Sequence, residues 1–186
     1  SNALFTYEAY LMNGLQDNII ANEFERTFLA AGKSPGQFEE DNNGSPALSG
    51  RIALKNRQIG EFGLSGYVGN YNTHKAEGLV VDQKRKLWIG AVDFNFSIQK
   101  LQILGEGAFV KIEVPEAVGQ NFGEKQIGFH TDLIYPIWEG TLFNWKDVKL
   151  NVAARFEYLD YNIGTFKEND ENISDHLYAF VGGVSL

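Results

Sequence analysis

The chain predicts an all-β fold: an antiparallel up-and-down β-barrel or part of one, with eight strands joined by alternating short turns and long loops. Three observations predict it. Twenty glycines and a set of 14 Phe, 8 Tyr and 3 Trp stand against 4 Pro and 1 Met, a balance that favours sheet. Most of the chain alternates apolar and mixed residues with a period of two. The segment 87–112 folds back on itself as a hairpin. If the chain turns at Gln99-Lys100, then Gly90, Val92, Phe94, Phe96 and Ile98 face Leu101, Ile103, Gly105, Gly107 and Phe109 on one side. Asp93, Asn95 and Ser97 face Glu106, Leu104 and Gln102 on the other. The register sets Asp93 directly opposite Glu106, and like charges across a strand pair are destabilising, so something must neutralise them.

Length and composition set the bounds. At 186 residues the chain suits one domain of ordinary size. Ser1-Asn2-Ala3 reads as the remnant of a cleaved tag, and 4–186 as a single barrel domain cut from a longer chain. The absence of cysteine removes disulfide and thiolate chemistry. A net charge of −8 argues against nucleic acid as a partner. No apolar run reaches the ~18 residues of a spanning helix, which leaves spanning strands open.

The elements follow in order. Strand one covers 5–14, with Tyr7, Ala9 and Leu11 on one face and Thr6, Glu8 and Tyr10 on the other. Within 17–31, Ile19, Ile20, Phe24 and Phe28 fall at helical intervals and predict a short helix ending at Gly32. Residues 33–46 read as loop, including the acidic 39–41 run and Asp41-Asn42-Asn43-Gly44, a partial match to a calcium loop that lacks its closing glutamate. Strands two and three, 48–55 and 61–71, flank a short turn, and a polar loop over 72–86 leads to the hairpin. After a loop at 113–125 come strand six at 126–136, a connection of middling length at 137–147, and strand seven at 148–160. An acidic loop at 161–175 precedes the last strand, 177–186. Short turns on one rim and long loops on the other are the pattern of an outer-membrane barrel.

Several phrases carry a resemblance. Tyr7-Glu8-Ala9-Tyr10-Leu11-Met12-Asn13-Gly14-Leu15 resembles a strand motif of the phosphate-selective porin family (O/P type) and related outer-membrane porins. Gly50-Arg51-Ile52-Ala53-Leu54, Gly63-Leu64-Ser65-Gly66-Tyr67-Val68-Gly69, Ala91-Val92-Asp93, Leu104-Gly105-Glu106 and Ala154-Arg155-Phe156-Glu157-Tyr158-Leu159-Asp160 follow in matching order. The resemblance implies an outer-membrane barrel of about sixteen strands, of which this chain supplies about half, in a parent that is often a homotrimer. It implies passive transport of small hydrophilic solutes, anionic ones among them, through a lumen surrounded by outer-membrane lipid. Phosphate-selective members crowd lysine and arginine into the pore, whereas acids here share the mixed face, which speaks against phosphate itself.

On that reading the mixed face lines the lumen. Arg51, Asp93, Glu106, Arg155 and Glu157 are the expected lumen charge cluster, acting either on solute selectivity or simply to stiffen the wall. Lys84, Arg85 and Lys86 form a basic run suited to a pore mouth, or to an ordinary solvated strand end. His130 and Asp132 share a strand face, but two ligands do not make a metal site, so neither a metal nor a cofactor is expected. No nucleophile–base arrangement points to an enzyme. A second reading stands beside the channel: a soluble eight-stranded barrel of lipocalin type holding an apolar small molecule. The two differ in where Phe94, Phe109 and Phe129 point, outward to lipid or inward to a cavity.

Overall fold

The computed structural model describes residues 3–33 and 44–186. The 39–41 acidic run and most of the calcium-like motif lie outside them. Among the described residues ten strands form: β1 (Ala3–Asn13), β2 (Pro46–Asn56), β3 (Gly60–Asn70), β4 (Lys75–Ala76), β5 (Leu79–Val80), β6 (Lys86–Ile98), β7 (Leu101–Ile112), β8 (Lys125–Leu142), β9 (Trp145–Asp160) and β10 (His176–Ser185). Eight of them make one antiparallel meander in the order β1-β2-β3-β6-β7-β8-β9-β10, and β4 and β5 make a separate small ribbon. Among the described residues β1 and β10 do not pair with each other, so the sheet has two edges.

The hairpin of β6 and β7 has the register that alternation predicts: Asp93 faces Glu106, Phe94 faces Gly105 and Val92 faces Gly107. Its turn residue Gln99 takes φ 56°. In the β2–β3 turn, Asn56 Oδ1 accepts hydrogen bonds from the Gln58 and Ile59 amides at 2.8 and 3.3 Å. Gly60 then leaves the turn at φ 133°, where an added Cβ would sit 1.9 Å from the Asn95 carbonyl oxygen.

Two expectations are corrected. The stretch 137–147 is not a connection of middling length but the continuation of β8 and β9 to a two-residue turn at Phe143-Asn144. Bulges between Pro136 and Trp138 and between Gly140 and Leu142 break the simple alternation there, which hides the strand from a period-two reading. Gly140 is part of the same device, since a Cβ would press 2.6 Å from the Trp138 ring. With this change the rims separate cleanly: short turns at 57–59, 99–100 and 143–144, long connections at 14–45, 71–85, 113–124 and 161–175.

The second correction concerns 17–31, which forms no α-helix. Two 3-10 turns, Asp17–Ile19 and Leu29–Gly32, are joined by an irregular stretch in which Glu25 has φ 51° and Phe28 is extended. The Phe28 amide bonds the Ile19 carbonyl at 2.9 Å and the Gln16 amide bonds the Gly32 carbonyl at 3.0 Å, so the segment closes as a loop upon itself. Tertiary contact decides the matter: Ile19 is fully buried while Phe24 is exposed, so the helical spacing does not make one buried stripe.

The core sits on an unexpected side. Ile19, Tyr71, Leu87, Val110 and Ile112 form the buried cluster, with Leu15, Leu29, Tyr67 and Ile89 packed against it. The strand residues among these belong to the mixed face, at the long-loop end. The opposite face keeps its apolar residues exposed, Phe62 at 41 %, Phe109 at 45 % and Ile52 at 46 % among them. Replacing Gly60 with Ala should destabilise the sheet by about 1–3 kcal/mol through the forbidden backbone and the collision with Asn95. Denaturant titration of the folded protein checks this; an unchanged midpoint contradicts it.

Candidate functional site

The mixed face is a trough, and its middle rows hold the ionic groups. Successive registers carry one row from Gly63 through Asp93, Glu106 and His130 to Glu157. The next row, towards the short turns, runs Glu61, Asn95, Leu104, Asp132 and Arg155. Every one of these side chains points the same way because the strands keep an unshifted register across this region.

Two arginine forks organise the rows. Arg51 on β2 reaches diagonally across β3: its Nε donates to Asp93 Oδ1 at 3.0 Å and its Nη2 to Asp93 Oδ2 at 2.5 Å. The same Nη2 donates to Glu61 Oε1 at 2.8 Å, and Lys55 Nζ lies 3.7 Å from the other oxygen of Glu61. What allows the crossing is Gly63, the residue between them. A Cβ there would stand 2.5 Å from Asp93 Oδ1 and 2.6 Å from Arg51 Nη2. On the other side, Arg155 faces Asp132 directly and binds it in the same two-pronged way, Nε to Oδ1 at 2.6 Å and Nη2 to Oδ2 at 2.7 Å. Its Nη1 donates to Glu157 at 3.2 Å. Each arginine therefore holds one aspartate through both oxygens and one glutamate through a single bond. Paired, planar contacts of this kind fix geometry as well as charge.

The five residues expected as one lumen cluster are thus divided. Arg51 and Asp93 lie in one fork, Arg155 and Glu157 in the other, and Glu106 belongs to neither. Its side chain is 69 % exposed, with His130 Nδ1 at 3.9 Å. The Asp93–Glu106 repulsion is relieved from one side, by Arg51 on Asp93, while Glu106 stays in water. Glu61 and Asp132 complete the forks. Asp132 carries a readable signal, because β8 and β9 alternate cleanly enough to set it opposite Arg155. Glu61 does not: its link to Arg51 runs over an intervening row.

The basic run does not act as a unit. Arg85 is bound by Asp82 through both oxygens at 3.0 and 3.1 Å, and its amide donates to Asn72. Lys86 lies on the apolar-face side, with its Nζ 6.0 Å from the centre of the Trp88 ring, and Lys111 Nζ is 5.6 Å from the same ring. Lys84 is exposed in the loop. His130 and Asp132 are committed to different neighbours, and among the described residues no three His, Asp or Glu side chains converge as metal ligands.

The long-loop end of the trough is covered. The segment 14–33 leaves β1 and crosses the mixed face as a strap. The Leu15 amide donates to the Tyr67 hydroxyl at 3.0 Å, and Gln126 Nε2 donates to the Thr27 carbonyl at 2.8 Å. Arg26 pairs with Asp175 at 3.1 Å and lies 5.2 Å from the centre of the Tyr161 ring. Thus one segment ties the loop after β1 to the loop before β10.

In the 71–85 loop, burial pushes the Tyr71 hydroxyl up to about 12, and it donates to the Glu113 carbonyl at 2.7 Å. The Arg85 guanidinium holds the Asp82 carboxyl below its usual range. The Asp82 contribution is therefore present at neutral pH and is lost as pH falls through that lowered value. The Tyr71 contribution is present below about 10, its unfolded value, and fades as pH rises through about 12. Amide exchange in 72–85 should accelerate at both extremes before the β6–β7 ladder opens; simultaneous opening of loop and ladder contradicts it. For the first fork, a double-mutant cycle of Arg51→Met with Asp93→Asn should give a coupling of a few tenths to about 1 kcal/mol. The same cycle in a Gly63→Ala background should give nearly none, and a retained coupling would show that the glycine floor is dispensable.

In comparison with known proteins, no family model, no curated protein and no solved structure matches the chain.

Proposed function

We propose that this chain forms wall of an outer-membrane, porin-like β-barrel through which small hydrophilic solutes diffuse passively. The observation that carries the reading is the inversion of the faces. The buried cluster lies on the mixed face, whereas the opposite face carries exposed large apolar residues from Phe5 on β1 to Phe180 on β10. In water a sheet with that distribution exposes an apolar surface far beyond the scattered residues a soluble protein tolerates. In a bilayer it is the expected arrangement.

Dimensions support it. From Trp88 to Ile98 the apolar side of β6 advances ten residues, about 33 Å at ~3.3 Å per residue. A tilt of about 40° reduces this to about 25 Å, the usual height of an apolar band on a membrane barrel. Trp88 with Lys86 and Lys111 marks one margin of the band, and Trp138 lies beyond the other. The separation of short turns from long loops points the same way.

The solute class follows from the lining. At mid-height Glu61, Asp93, Glu106, Asp132 and Glu157 face Arg51, Lys55 and Arg155, and both arginines are engaged by aspartates. Such a wall does not concentrate phosphate or other anions. The soluble container reading requires the apolar face to surround a cavity, and its exposure here is the observation against it.

The protein reconstituted in lipid should show quenching of Trp88 and Trp138 fluorescence by brominated acyl chains, and stepwise conductance across planar bilayers. A stable monomer that needs no detergent and takes up a lipophilic probe would replace the channel with the container. Within the channel, Glu106→Gln should move the reversal potential in a salt gradient towards anions, while an unchanged potential limits the row to a structural role.

A further inference from the structure

We propose that the apolar side of β6, β7 and β8, at its long-loop margin, binds a membrane lipid with an anionic phosphate headgroup. The inference rests on the lipid-facing reading of that side and deepens it by naming the headgroup this margin selects.

An unneutralised like-charge pair carries it. The β7–β8 register sets Lys111 directly opposite Lys125. Partners in register have Cα atoms only ~4.5–5.5 Å apart, and like charges so placed destabilise a sheet. Lys111 also faces Trp88, whose ring is approached by Lys111 Nζ at 5.6 Å and by Lys86 Nζ at 6.0 Å. Three exposed lysines on three neighbouring strands thus gather beside one indole. Among the described residues none of the three forms an ion pair, whereas Lys55 and Lys100 do, at 3.7 Å to Glu61 and 3.4 Å to Glu139. The acids at this corner are otherwise engaged. Glu113 accepts the Lys86 amide at 2.8 Å, and Asp160 accepts the Asn162 amide at 2.9 Å and the Tyr158 hydroxyl at 3.4 Å. On the mixed face Arg51 relieves the Asp93–Glu106 pair from within the chain. No described side chain does this for Lys111 and Lys125, so an anion from outside supplies the neutralising charge.

Place decides which anion. The next residues along this face from Lys111 and Lys125 towards the short turns are Phe109 and Ile127, which pair with each other. A soluble anion gains nothing from that apolar surface, whereas a lipid sets its phosphate on the lysines and its acyl chains below them. Trp88 joins the lysines to an apolar groove of about 450 Å³ over Gly50, Gly66 and Gly90, walled by Leu48 and Val68. The chain's own packing does not require this groove. A Cβ added at Gly90 would meet nothing within 4 Å, and one at Gly66 only the Ile89 carbonyl oxygen at 4.0 Å.

Trp88 reports on the site directly. A chain carrying Trp138→Phe and Trp145→Phe keeps it as the single tryptophan. This chain is placed in phosphatidylcholine discs that contain a minor fraction of brominated phosphatidylglycerol or, in parallel, of brominated phosphatidylcholine. The expected result is stronger quenching by the phosphatidylglycerol, from a local enrichment of about fivefold per lysine engaged. Lys111→Gln and Lys125→Gln should each reduce that enrichment by about the same factor, and Lys84→Gln in the loop should leave it unchanged. An equal loss with Lys84→Gln marks diffuse attraction and overturns the site. Equal quenching by the two lipids overturns the inference and leaves the lipid-facing reading intact; quenching by neither overturns that reading and the site with it. A preference abolished by excess inorganic phosphate assigns the lysines to soluble anions and overturns the lipid assignment. Stability gives a second measurement that keeps all three tryptophans. In phosphatidylcholine alone Lys125→Gln should resist denaturant better than the parent chain, because Lys111 loses its like-charge partner. In phosphatidylglycerol that advantage should vanish, and an advantage equal in both lipids overturns the inference.

Discussion

The pleat of one unbroken meander is the constraint on which everything else depends. Eight neighbouring strands keep a regular register from β1 to β10, apart from the bulges confined to the outer end of β8 and β9. A residue's parity therefore decides its side of the sheet, and a slip by one would exchange the two sides of a strand. That single rule places Arg51, Asp93, Glu106, Asp132 and Arg155 in one trough, and Phe62, Phe94, Phe109 and Phe129 on the opposite surface. It also makes the trough a coherent electrostatic object rather than a collection of surface pairs.

Within the trough, packing of charge replaces packing of apolar side chains over the middle rows, and true burial is restricted to the long-loop end. There the strap brings Ile19 onto Tyr71, Leu87, Val110 and Ile112. The two ends of the mixed face thus differ in physical character. One is dry and held by apolar contact; the other is half-exposed and held by the arginine forks. Gly63 shows how finely the second kind depends on backbone detail, because the Arg51–Asp93 contact exists only where β3 presents no side chain. The strap has an organising role as well, since Arg26 and Gln126 join it to elements that lie far from β1 in sequence.

Much of this was legible in the residues themselves. Alternation located the eight main strands and the β6–β7 register, down to Asp93 opposite Glu106. It did not show that 137–147 is strand, because two bulges shift the phase and mix the faces. It did not show the small ribbon β4–β5, whose turn at Glu77-Gly78 relies on positive φ at both residues within a polar stretch. The helix expected over 17–31 failed for the opposite reason: its spacing is helical, but Ile19 is buried while Phe24 is exposed, so the spaced apolar residues share no single buried stripe.

For the ionic groups, direct partners were accessible and diagonal ones were not. Arg155 and Asp132 meet because they are register neighbours, whereas Arg51 reaches Asp93 across β3 and reaches Glu61 diagonally along the adjacent strand. The basic run 84–86 is contiguous in sequence but divided in space, one member tied to Asp82 and another turned towards Trp88. The amino-acid order by itself determined the strands, their two-faced character and the asymmetry of the rims, since these follow from local alternation and turn chemistry. Only the tertiary structure decided that the buried cluster lies on the mixed face, and which carboxylate each arginine holds. Those outcomes depend on where a distant strap docks and on what the intervening strand leaves open.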